Sequence, residues 1–213
     1  MLERRFLAAG PARVGIETRE DGGTRIVGYA AVFYDGTPDT EFKLWDDCIE
    51  RIMPGAFDEA LAQGQDVRAL FNHNPDYVLG RTRSGTLSLS VDAVGLRYEI
   101  TTPDTQVARD LMTVIGRGDV SGSSFAFFPA KIEWETEGED EIRKIISATL
   151  DGGDVSPVTY PAYEATTTGV RDGRPDDLLR REYDEHMAKR RQQAFATAAQ
   201  RRKMQCIAEV LPD

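Results

Sequence analysis

Three hydroxyls fall within four positions in Asp119-Val120-Ser121-Gly122-Ser123-Ser124-Phe125-Ala126-Phe127. Phe125 and Phe127, two residues apart, read as one apolar face of a strand. The serines stand where that strand begins, just past the glycine-broken segment Gly116-Arg117-Gly118. A hydroxyl at a strand end is held rigidly yet stays reachable, as a nucleophile requires. Serine is inert at neutral pH unless a base takes its proton. Only two histidines can do so, His73 and His186. A Ser/Gly turn with no chemistry would also produce this stretch, because both residues favour turns for conformational reasons.

His73 lies in Leu70-Phe71-Asn72-His73-Asn74-Pro75-Asp76-Tyr77-Val78-Leu79-Gly80-Arg81-Thr82, after an apolar pair and before a proline. Asn74-Pro75 favours turn initiation, which places His73 at a strand end or at the lip of a loop. With an ordinary pKa of about 6.5, a neutral imidazole there can accept a serine proton near pH 7. His186 stands among charged residues of the C-terminal segment and reads as solvated. A carboxylate would orient the ring and stabilise the imidazolium. Asp154 suits this role because it follows the serines and opens the alternating run Asp154-Val155-Ser156-Pro157-Val158-Thr159-Tyr160. Asp151 and Asp119 are alternatives, and an aspartate closing a Gly-Gly turn is the plain structural account of Asp154. Backbone N–H groups for an oxyanion could come from Gly152-Gly153 or Arg117-Gly118, since glycine lets the main chain approach closely.

These blocks together resemble one family. Phe71-Asn72-His73-Asn74-Pro75-Asp76-Tyr77-Val78-Leu79-Gly80-Arg81-Thr82 is followed by Gly85 to Leu89 and by Gly95-Leu96-Arg97-Tyr98-Glu99. Ala108-Arg109-Asp110-Leu111, the serine cluster, and Asp154 through Tyr163 come next, with Ile52-Met53-Pro54-Gly55-Ala56-Phe57 upstream. In this order, over residues 14–171, they resemble the prohead (capsid-maturation) serine proteases of tailed bacteriophages. The resemblance implies a β-barrel related to the herpesvirus assemblins, with His73 as general base. It puts Ser124, directly before Phe-x-Phe, in the nucleophile's place; Ser123 and Ser121 remain competing assignments. It also implies peptide hydrolysis through an acyl-enzyme, without a cofactor or a metal. The implied substrate and partner is the major capsid protein or its scaffolding segment, cut inside the assembling prohead in the host cytoplasm. Self-cleavage and a homodimer, as in assemblins, are further implications. A module that kept the fold for assembly and lost catalysis is the rival from another class. An esterase is disfavoured by the absence of a Gly-x-Ser-x-Gly elbow. Two distant histidines and two cysteines far apart in sequence, Cys48 and Cys206, do not make a metal shell.

The elements that would position these residues are mostly strands. Residues 14–17 and 25–33 form an opening pair around Glu20-Asp21-Gly22-Gly23, and a short helix follows Pro54. Residues 86–91 and 96–100 form a hairpin. Residues 104–115 form a helix from Pro103, with Val107, Leu111, Val114 and Ile115 at helical spacing and Gly116 as its stop. Residues 131–134 and 144–149 form a long hairpin across an acidic loop, 135–141, and residues 154–160 close the body. The fold class is mainly β with flanking helices (α+β), a barrel rather than a doubly wound sheet. The domain is residues 1–170, and a boundary at 169–175 leads to a charged helical tail, residues 171–213. Leu179, Tyr183 and Met187 share one face of a helix over 176–205, whose second half lacks a broad apolar stripe and should be loosely attached.

Composition excludes several classes. The net charge is −10. From Arg171 onward there are 10 basic and 8 acidic residues, which leaves 16 against 28 upstream. The acidic body argues against nonspecific nucleic-acid binding. Two far-apart cysteines suggest no disulfide framework. The apolar stretch at residues 6–9 is too short for a signal peptide, and no run approaches a membrane span.

Overall fold

The structure is a computed structural model that describes residues 1–7, 13–20, 22–160 and 175–210. The chain divides into two compact units, Met1–Gly169 and Val170–Asp213. The boundary expected at residues 169–174 lies outside the described residues, as do Asp21 and the end of the Thr159-to-Tyr163 block.

The described residues of the first unit form eleven strands and two α-helices, with a single 3-10 turn at Pro38–Thr40. In chain order they are β1 (Glu3–Leu7), β2 (Gly15–Thr18), β3 (Thr24–Val32), β4 (Phe42–Trp45), β5 (Cys48–Ile52), α1 (Asp58–Ala62), β6 (Arg68–Phe71), β7 (Asn74–Arg81), β8 (Leu87–Val91), β9 (Gly95–Thr101), α2 (Gln106–Arg117), β10 (Gly122–Glu137) and β11 (Asp140–Val158). One sheet runs β1-β10-β11-β5-β4, with β6 added to β11 and β7 to β6; the other runs β2-β3-β9-β8. The fold is mainly β with flanking helices, as expected. The barrel is corrected: backbone hydrogen bonds give two sheets that do not close on each other.

Between the sheets lies a shared apolar core. Phe57 stacks on Phe33 (centroids 6.1 Å apart) and meets Phe125 edge-on at 5.9 Å, while Phe125 stacks on Phe127 at 4.8 Å. Alternation along β10 explains which residues face inward: Ser123, Phe125 and Phe127 share one face and Ser124 takes the other. Ser123 accordingly reaches the second sheet, where its Oγ lies 2.8 Å from the Tyr98 hydroxyl on β9.

The spine of the first sheet is β11. It pairs antiparallel with β10 along nearly its whole length, and its other edge receives β5 and then β6 in parallel. The acidic stretch expected as a loop belongs mostly to this hairpin: Glu137 pairs with Asp140 across a tight turn holding Gly138 at φ 64°. Near Phe127 the register slips. Ala126 faces Asp154 but Phe128 faces Thr149, so residues 150–153 bulge out of β11. The Gln65 side-chain oxygen accepts from the N–H groups of Leu150 and Asp151 and so satisfies the bulge. A Cβ at Gly153 would lie 2.0 Å from the Ala126 carbonyl oxygen, so only glycine fits.

The helix read over 104–115 is α2, capped at its start by Thr105, whose hydroxyl accepts from the Ala108 N–H. Gly116 does not stop it. The stop is Gly118, at φ 86°, whose N–H closes on the Ile115 and Val114 carbonyls.

β1 was not legible as a strand because three consecutive charges, Glu3-Arg4-Arg5, precede its apolar pair Phe6-Leu7. Its inward charges enter a buried quartet. Arg5 bonds Glu50 (Nε to Oε1, 2.5 Å) and Glu3 (2.5 Å); Arg143 bonds Glu3 (2.9 Å) and Glu50. All four are at most 3 % exposed. Burial works to raise the Glu50 carboxyl, but Arg5 and Arg143 outweigh it and hold the group below its ordinary 4.5. The quartet ties β1, β5 and β11 together.

The second unit contains α3 (Pro175–Val210), on which Leu179 and Tyr183 are buried while residues 188–201 are exposed throughout.

Removing one member of a buried ion network leaves an uncompensated charge. Glu50→Ala is expected to cost about 3–5 kcal/mol of unfolding free energy, measured by urea denaturation. Because its folded-state pKa is depressed, the Glu50 contribution is complete above its ordinary value of 4.5 and drains away as pH falls through the lower folded-state value. Wild-type stability should therefore fall as the pH drops from about 4.5 through the folded-state value, and more steeply than that of the Glu50→Ala variant.

Candidate active site

His73 sits in a two-residue hairpin loop. Phe71 on β6 pairs with Asn74 on β7, which leaves Asn72 and His73 as the central residues, with φ of 54° and 56°. Positive φ at both positions is the primed turn that suits a tight hairpin, and asparagine and histidine tolerate it better than most residues. The hairpin turn thus falls at Asn72-His73, ahead of the Asn74-Pro75 pair expected to begin it. Asn74 does begin a local turn, its Oδ1 accepting from the Asp76 N–H, but within the irregular start of β7.

The loop is clamped to β11. The Asn72 N–H donates to the Pro157 carbonyl at 3.1 Å. Its side chain exchanges bonds with Thr159, through Nδ2 to Oγ1 (2.9 Å) and from the Thr159 N–H to Oδ1 (2.9 Å). The His73 N–H reaches the Ser156 hydroxyl at 3.2 Å.

These contacts aim the imidazole at two groups. His73 Nε2 lies 2.5 Å from Ser124 Oγ, and Nδ1 lies 2.6 Å from Asp154 Oδ2. The Ser124 hydroxyl is also 2.9 Å from the Arg5 carbonyl oxygen on β1. The Phe6 ring stands edge-on to the imidazole at 5.8 Å. All three side chains are buried. The register supplies the juxtaposition: Ser124 pairs with Ser156 and Ala126 with Asp154, so Ser124, Asp154 and Ser156 share one sheet face.

The remaining sequence candidates lie elsewhere. Ser123 faces Tyr98 on the opposite side of β10. Ser121 precedes the strand, its carbonyl accepting from the Val14 N–H. Asp151 is exposed on the bulge, and Asp119 pairs with Arg117 at 3.0 Å. His186 on α3 is half-buried rather than solvated; burial, then Lys189, lowers its pKa. The N–H of Gly118 is spent on the α2 cap, so Arg117-Gly118 loses its case as an oxyanion donor. Ser156, on the same face, is a residue that sequence reasoning missed. Its position two residues after Asp154 on a strand was the available signal.

Hydroxyl, imidazole and carboxylate in this sequence of contacts have the geometry of a Ser-His-Asp triad, the arrangement of a serine hydrolase. The family model described as caudovirus prohead serine protease matches residues 13–179. The chain belongs to this family and is a serine protease of capsid maturation. No curated protein matches the sequence. Among solved structures it is similar to the bacteriophage T4 capsid assembly protease, gp21, with a TM-score of 0.40 and 13% identity, covering 73% of this chain and 96% of that one.

Ser123→Ala should separate the two adjacent hydroxyls. It strands the buried Tyr98 hydroxyl, at about 1–3 kcal/mol of stability measured by thermal or urea unfolding. Proteolytic activity of the folded variant is expected to remain within about threefold of wild type, since a 1.4 kcal/mol change in barrier would be needed for tenfold.

Proposed function

We propose that this prohead protease is an endopeptidase acting through an acyl-enzyme on Ser124. The observation that supports this reading is the hydrogen-bond chain from Ser124 Oγ through His73 to Asp154, with spans of 2.5 and 2.6 Å. His73 Nε2 takes the Ser124 proton as Oγ attacks the scissile carbonyl. The resulting imidazolium is stabilised by Asp154 at Nδ1. It gives its proton to the leaving amine, whose C–N bond breaks. Water then enters along the same route: His73 deprotonates it, the ester bond to Ser124 breaks, and the proton returns to Oγ. Asp154 keeps its charge throughout; its work is to hold the tautomer and the ring plane.

The substrate on this reading is the scaffolding segment of the major capsid protein, cleaved inside the precursor shell before DNA is packaged. The chain's own ends are a second substrate. The capsid protein is the principal partner, and the family's kinship with assemblins supports a second copy of the chain as another. The net charge of −10 weighs against a nucleic-acid partner. Among the described residues no helix is long and apolar enough to cross a membrane.

Co-expression with the neighbouring capsid gene tests the reading, with intact and peptide mass spectrometry of both products. Wild type should yield shortened capsid protein, and Ser124→Ala and His73→Ala should each yield full-length product from a folded enzyme. Asp154→Asn is expected to slow cleavage by about 10³–10⁴-fold, the scale seen when a triad carboxylate loses its charge. Capsid protein cut normally beside Ser124→Ala would mean that this hydroxyl is not the nucleophile.

A further inference from the structure

Ser156 has no part in the bond-making described above, yet it touches both residues that must be held still. Its hydroxyl donates to Asp154 Oδ2 at 2.6 Å, the same oxygen that meets His73 Nδ1. It also accepts from the His73 backbone N–H at 3.2 Å and lies 3.5 Å from Nδ1. The side chain is wholly buried.

We propose that Ser156 is a positioning residue that locks the general base and its carboxylate into one geometry. The inference rests on the reading of Ser124, His73 and Asp154 as the catalytic triad. Three observations support it. First, the parallel pairing of β6 with β11 covers Asp154 with Arg68 and Val155 with Ala69. Beyond it the chain turns at Asn72, and the next main-chain donor, the His73 N–H, is satisfied by a side chain, the Ser156 hydroxyl. Second, His73 is held at φ 56°, a conformation that histidine tolerates but that still carries a cost, which the bond to its N–H helps to offset. Third, a carboxylate is free to rotate about its last torsion. A donor on Oδ2 opposes that rotation and keeps the oxygen presented to Nδ1. One hydroxyl thus fixes the imidazole through its main chain and the carboxylate through its oxygen. Ser124 pairs directly with Ser156 across the β10–β11 ladder, so the same register that brings the nucleophile also brings its organiser.

Misplacement of a catalytic group by about 1 Å costs on the order of 100-fold in rate. The test uses the full chain and a fluorophosphonate probe, which needs no knowledge of the natural substrate. Ser124 Oγ forms the P–O bond, fluoride leaves, and His73 receives the proton. Ser156→Ala should lower the maximal labelling rate about 10–100-fold while the half-saturating probe concentration changes by less than about twofold. If Ser156 acts through Asp154, the double variant Ser156→Ala/Asp154→Asn should label within about threefold of Asp154→Asn alone. Ser156→Cys, close in volume and a weak donor, should also label slowly, and it carries the test if the alanine variant does not fold. Peptide mapping must place the label on Ser124. Labelling of a folded Ser156→Ala or Ser156→Cys variant at the wild-type rate, with Ser124→Ala unlabelled, overturns the proposal and leaves the triad intact. So do Ser156→Ala and Asp154→Asn effects that multiply. Undiminished labelling of Ser124→Ala overturns the triad reading and this proposal with it.

Discussion

The site depends on the antiparallel register of β10 against β11. Ser124 faces Ser156 and Ala126 faces Asp154, and because side chains alternate with period two, Ser124, Asp154 and Ser156 emerge on one face. A slip of β10 by one residue would present Ser123 beside Asp154 and Ser156 instead, with Phe125 turned out of the core. The apolar stack of Phe57, Phe125 and Phe127 therefore does more than stabilise the fold. Its burial fixes which of two adjacent serines meets the imidazole. The bulge at residues 150–153 adds a second control, resetting the register so that the hairpin beyond it pairs independently of the site end.

The third side chain comes from a separate hairpin, and its delivery is a problem of main-chain geometry. The β6–β7 turn is only two residues long and places His73 at positive φ. Its energetic cost is offset by bonds to the end of β11, from Asn72 to Pro157 and Thr159 and from His73 to Ser156. β11 is thus the common reference for the whole site, since it carries Asp154 and Ser156, pairs with the strand of Ser124 and clamps the turn of His73. On the far edge of β10, the buried quartet of Glu3, Arg5, Glu50 and Arg143 holds β1 in place, and with it the Arg5 carbonyl beside Ser124 and the Phe6 ring beside His73. Such a quartet gains little over apolar packing, but it penalises any arrangement that leaves one charge unpaired.

Much of this was legible in the amino-acid pattern, and the failures have identifiable causes. The Phe-Ala-Phe alternation, the β8–β9 hairpin and the amphipathic α2 are local, period-driven features, and they stand where periodicity puts them. What escaped is non-local or mixed in polarity. β1 carries glutamate and arginine inward, against the ordinary rule of burial, and is intelligible only beside Glu50 and Arg143. The parallel pairing of β11 with β5 and β6 joins segments more than 80 residues apart, and no turn signal marks it. The barrel came from the resemblance and from the many strands set against few helices, and the two hydrogen-bonded sheets correct it. At the site, residue types and family blocks pointed to His73, Ser124 and Asp154, which the fold brings together. Choosing among three serines needed the alternation of β10 to be anchored by Tyr98 and Phe125. Ser156 carries no legible signal because a serine two positions after an aspartate has no meaning until that stretch is known to be a strand whose face meets His73.

In the proposed triad the imidazole of His73 bridges Ser124 and Asp154 with its proton on Nδ1. The nitrogen-15 and proton spectrum of the histidine rings tests it most directly, in the full-length chain and with His186→Gln to leave a single ring. The account predicts a neutral His73 ring protonated on Nδ1, its proton far downfield in a strong bond to a carboxylate and the resonance lost in Asp154→Asn. A ring protonated on Nε2, or a spectrum indifferent to Asp154→Asn, would contradict it.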